Sequence, residues 1–70
     1  MGYSESAWRH GLEREDVDHA LSNPMIVHYF DGYVIVIGPS RSGRFLEIGV
    51  NDDDLVFHAM NARERFLRRK

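Results

Sequence analysis

The dipeptide Asp31-Gly32 lies between two apolar runs, Met25–Phe30 and Tyr33–Gly38. Asp-Gly flanked by β-branched and aromatic residues is the strongest short-range hairpin signal, because the tight turn that suits twisted strands needs positive φ at its centre. This feature commits the middle of the chain to antiparallel pairing. A two-residue loop sets Phe30 opposite Tyr33, and therefore His28 opposite Ile35. A third apolar run, Arg44–Val50, follows the polar loop Pro39-Ser40-Arg41-Ser42-Gly43, and a fourth, Leu55–Ala59, follows Asn51-Asp52-Asp53-Asp54. The expected architecture is α+β: a four-stranded antiparallel β-meander with one or two N-terminal helices and a C-terminal helix.

Register follows from requiring like faces to meet. Pairing Gly38 with Arg44 and Val50 with Leu55 puts Val27, Val34, Val36, Leu46, Ile48, Val50, Leu55 and Phe57 on one face. The opposite face collects Ile26, His28, Phe30, Tyr33, Ile35, Ile37, Phe45, Glu47, Val56 and His58. A helix over Glu13–Ser22 is predicted from Val17, Ala20 and Leu21 at i, i+3 and i+4, with Glu13, Glu15 and Asp16 at its positive end and Asn23-Pro24 as its stop. Ser4–His10 suits a short helical turn closed by Gly11, with Ala7 and Trp8 inward. The last helix is expected from Asn61, with Asn61 and Glu64 as a capping-box-like pair and Phe66 and Leu67 as its apolar edge. One such helix is too small to hide the second face. A homo-oligomer, or a complex with a partner, joined through Ile26, Ile35, Ile37 and Phe45 is therefore expected.

Seventy residues define one domain, 1–70, and a chain this short buries only about 60% of its unfolded surface. Cysteine is absent, which removes disulfides and thiolate metal sites and suits a reducing compartment. No run approaches the roughly 18 apolar residues of a membrane span, and the polar start MGYSESAWRHG does not read as a signal peptide. A cytoplasmic protein with no membrane partner is expected. The net charge of −2 is segregated: residues 1–60 hold four arginines against ten acids, whereas 61–70 hold Arg63, Arg65, Arg68, Arg69 and Lys70 against Glu64. General nucleic-acid binding is thereby disfavoured, while the end of the chain offers a local basic patch.

Few residues are placed to do chemistry. Gly38 and Gly43 stand at the spacing of the phosphate loop G-x-x-x-x-G-K-[ST], but Arg44 and Phe45 replace the lysine and the hydroxyl, and a strand follows where a helix is needed. As a turn, the same loop presents Arg41 and Arg44 beside two serines, a combination suited to a phosphodiester backbone. His10, His19, His28 and His58 lack metal-ligand spacing, and Asp52–Asp54 lack the EF-hand pattern, so neither a metal nor a cofactor is expected. One pair is distinctive. The register sets Glu47 directly opposite His58, within hydrogen-bonding reach, the arrangement of an oriented general acid or base.

Three stretches taken in order, Arg9-His10-Gly11-Leu12 before an acidic helix ending at Asn23-Pro24, Gly43-Arg44-Phe45-Leu46-Glu47-Ile48, and His58-Ala59-Met60-Asn61-Ala62-Arg63, resemble the BrnT-type toxins of bacterial toxin–antitoxin pairs, relatives of the RelE superfamily. The resemblance runs from about His10 to Arg68. It implies metal-independent RNA cleavage or translation inhibition, an antitoxin partner, and Arg44 and Arg63 as RNA-contacting or catalytic residues. The candidate catalytic set is then His58, Glu47, Arg44 and Arg63, with Arg41, Arg44 and Arg65 binding RNA. The chain is acidic where such toxins are basic, and an acidic chain is steered poorly toward RNA. The competing expectation is a non-catalytic protein-interaction module of the same fold.

Overall fold

In a computed structural model describing residues 2–67, the chain forms a five-stranded sheet with a 3-10 turn at Glu5–Trp8 and helices α1 (Arg14–Ser22) and α2 (Glu64–Leu67). The strands are β1 (Gly2–Tyr3), β2 (Ile26–Phe30), β3 (Tyr33–Pro39), β4 (Phe45–Asn51) and β5 (Leu55–Asn61), in spatial order β1-β5-β4-β3-β2. Strands β2 to β5 are the expected antiparallel meander. The fifth strand makes the sheet mixed, because β1 runs parallel to β5, with Gly2 beside Leu55 and Tyr3 beside Val56. Two residues carry no periodicity that could announce a strand. Tertiary bonds hold them: Ser4 N donates to Val56 O at 2.9 Å, and the Ser6 hydroxyl donates to Phe57 O at 2.6 Å. The basic residues 68–70, part of the expected patch, lie outside the described residues.

The Asp31-Gly32 turn forms as read, with Phe30 opposite Tyr33 and His28 opposite Ile35. Gly32 sits at φ +88° with open space where a side chain would begin. The cost of substitution there is thus conformational: Gly32→Val is expected to lower stability by about 1–3 kcal/mol, measured by thermal unfolding.

The other two registers differ from expectation. Gly38 pairs with Leu46, not Arg44, because Ser40 closes the loop: its amide donates to Arg44 O at 2.7 Å, and its buried hydroxyl accepts from Arg44 N at 3.0 Å. The shift is even, so the faces of β3 and β4 survive. Between β4 and β5 a bulge intervenes. Val50 pairs with Val56 and Gly49 with His58, leaving Phe57 as the extra residue. Glu47 consequently stands opposite Met60, not His58. Past the bulge the alternation changes phase, so Val56 joins the first core while Phe57 turns to the second face, against Tyr33.

The first core packs Ala7, Val17 and Ala20 onto Val36, Leu46, Ile48, Val50, Val56 and Ala59. Here α1 lies very close to the sheet. A Cβ on Gly38 would stand 2.3 Å from the Ala20 carbonyl oxygen, a backbone atom that cannot turn aside. Gly38→Ala is expected to push α1 off β3 at a cost near the top of the roughly 1–3 kcal/mol range for overpacking, read as a lowered denaturation midpoint. His19 fixes the same end, its Nδ1 2.9 Å from Pro39 O.

The second core is smaller: Ile35, Ile37 and Phe66, flanked by Ile26 and Ala62. The chain thus covers this face itself, with Ile37 only 1% exposed beneath the α2 segment. The apolar surface from which association through Ile35 and Ile37 was expected is therefore largely buried within one chain. The capping-box reading of Asn61 also fails, since β5 continues through Asn61 and α2 begins only at Glu64. His28 anchors that short helix, its Nε2 2.7 Å from Phe66 O. Among the described residues no helix is long and apolar enough to cross a membrane.

Candidate functional site

Glu47 occupies the centre of β4, between Ile37 on β3 and Met60 on β5, on the face covered by α2. It is fully buried, and a lone carboxylate there would cost several kcal/mol. Its partners explain its presence. The Arg63 amide donates to Oε1 at 2.8 Å, Arg63 Nη2 to Oε2 at 2.7 Å, and Arg63 Nε to both oxygens at 3.2 Å. His58 Nε2 lies 2.9 Å from Oε2. Burial pushes the Glu47 carboxyl up, but the Arg63 side chain and amide, with His58 behind them, outweigh it and hold the group below the ordinary carboxylate range.

An ionised carboxylate only accepts hydrogen bonds, so His58 Nε2 carries the proton it donates. In the neutral ring Nδ1 is then the acceptor, and the half-buried imidazole is oriented by its carboxylate partner. The pairing expected from sequence thus exists, although the register behind it differs: His58 stands opposite Gly49, two residues along β4 from Glu47 on the same face, and reaches the carboxylate diagonally.

An open cleft of about 290 Å³ lies against this cluster. Tyr33, Ile35, Phe57 and Phe66 wall it, and His58, Arg63 and Arg65 supply its polar groups. The Arg65 guanidinium sits 4.7 Å from the Phe66 ring centre, and that of Arg63 5.4 Å. Both cations therefore reach the cleft across an aromatic floor.

The remaining candidates belong to the other layer. Arg41 is tied to α1, with Nη2 2.7 Å from Glu13 and Nε 2.8 Å from Asp16, and it holds the Asp16 carboxyl low. Arg44 is exposed on the side of Leu46 and makes no side-chain hydrogen bond or ion pair among the described residues. The fold therefore gathers Glu47, His58, Arg63 and Arg65 at one cleft and leaves Arg41 and Arg44 across the sheet. Sequence reasoning overlooked the aromatic wall, because Phe57 reaches it only through the bulge. It also overlooked Arg63 as the partner that neutralises Glu47. A buried acid in an otherwise apolar strand was the available signal that some cation had to come to it. The described residues hold no cluster of three potential metal ligands. No family model, no curated protein and no solved structure matches the chain.

Proposed function

We propose that this domain is a metal-independent endoribonuclease of the toxin type suggested by its resemblance to BrnT-like proteins. The observation that carries the reading is the buried Glu47 carboxylate, which orients His58 and Arg63 at the edge of one open cleft. In this mechanism His58 Nδ1 takes the proton of a ribose 2′-hydroxyl. The 2′-oxygen attacks the adjacent phosphorus, a cyclic phosphate forms, and the 5′-oxygen leaves with a proton from solvent. Arg63 and Arg65 offset the charge that builds on the phosphoryl oxygens. Arg41 and Arg44 belong to a second contact region on the far side of the loop, for RNA extending beyond the cleft. An antitoxin partner goes with this reading.

One observation favours a non-catalytic interaction module instead. Glu47 occupies the Nε and Nη2 donors of Arg63, so the pair also works as a clasp fixing the start of α2 to the sheet. Controlled expression in bacteria separates the two. Growth arrest with fragmented RNA is the result expected of the ribonuclease. Normal growth with intact RNA assigns the domain to the interaction class.

A further inference from the structure

The two edges of the sheet are protected very differently. On one side β1 is only two residues long, and brevity is itself a guard against unwanted pairing. On the other, β2 presents five residues, Ile26-Val27-His28-Tyr29-Phe30, with no partner on its outer side among the described residues. It carries no lysine, proline, acid or bulge, the devices by which an edge is normally blunted. Tyr29 is 79% exposed, Met25 54% and Phe30 44%, so large apolar groups concentrate along this border.

The hairpin decides which backbone groups are free. A two-residue loop makes Phe30 and Tyr33 a hydrogen-bonded pair, so the amides and carbonyls of Val27 and Tyr29 point away from β3. We infer that this edge is the homodimer interface of the protein, formed by antiparallel pairing of β2 with β2 of a second copy about a two-fold axis at His28.

The occupant is argued from the symmetry of the strand. A two-fold axis at His28 sets Val27 opposite Tyr29 of the other copy, the two residues whose backbone groups face outward, and Ile26 opposite Phe30. Every flanking pair then joins a β-branched residue to an aromatic one, a favourable class of cross-strand neighbour, on both faces of the sheet. Asp31, the nearest charge, falls opposite Met25 and not another acid. An isologous pairing of this kind closes on itself and leaves only the two-residue β1 strands as edges, whereas a shift of register would break these matches and expose a ladder end.

Light scattering across a dilution series tests the inference. The wild type is expected at twice its monomer mass of 8.2 kDa. Tyr29→Lys, a change on a side chain already in water, is expected to give a folded monomer with an unaltered circular-dichroism spectrum. Because the chain has no cysteine, single cysteines report the register directly. His28→Cys should form an intermolecular disulfide under mild oxidation. Tyr29→Cys should not, since its symmetry mate is displaced along the strand beyond the reach of a disulfide. A wild type that is monomeric throughout, a dimer untouched by Tyr29→Lys, or cross-linking through Tyr29→Cys in place of His28→Cys would each overturn it. A monomer that dimerises only on adding a foreign strand would assign the edge to another protein.

Discussion

Glu47→Ala is expected to lower the unfolding free energy by about 2–5 kcal/mol, the usual range for truncating a fully buried side chain of this size to alanine. A 70-residue domain has only about 4–10 kcal/mol to lose, so the variant should forfeit a large share of its stability. Three effects add in the same direction. The Arg63 amide and the His58 ring lose their acceptor, the start of α2 loses its attachment, and a void opens between Ile37 and Met60. Glu47→Gln keeps the volume and an acceptor oxygen and should retain part of the stability. Chemical denaturation of the three proteins measures the series, and equal midpoints would mean that the clasp contributes nothing.

The same carboxylate sets an acid response. Its pKa in the folded protein lies below its unfolded value, so its contribution is fully present above the unfolded pKa, ordinarily about 4.3, and is lost as pH falls through the folded pKa. Stability should therefore decline from that ordinary range downward. Asp16, lowered by Arg41, acts with the same sign, so the slope belonging to Glu47 is the part that disappears in Glu47→Gln. Identical acid profiles for the two proteins would contradict the assignment.

His58→Ala is expected to lower the rate of RNA cleavage by about 10²- to 10⁴-fold, the usual loss on removing a positioned general acid or base. Its side chain keeps 24% of its surface in solvent, so the fold should persist. Arg63→Lys retains the cation without the planar fork that grips both Glu47 oxygens, and it should weaken cleavage and stability together. Arg14→Ala serves as the control. It removes a cation from α1, where Arg14 lies over the Tyr3 ring, and should leave cleavage intact. Cleavage that falls equally in His58→Ala and Arg14→Ala would dismiss the proposed base.

How much of this was legible in the chain depended on the range of the interactions involved. The Asp31-Gly32 hairpin, the strand alternation and the α1 stripe are local, set by turn conformation and by periods of two and 3.6 residues, and sequence determined them. It also put Glu47 and His58 on one face of neighbouring strands. Only the tertiary structure decided what joins them. The bulge between β4 and β5 depends on how two distant strands meet, and it alone brings Phe57 and His58 to the same face. The docking of β1 and the approach of α1 to Gly38 are likewise contacts between parts of the chain with no shared periodicity. The closing of Arg63 over Glu47 is long-range as well: a buried charge demands a partner by energetics, but the three-dimensional path of β5 and the turn after it chose which arginine arrives.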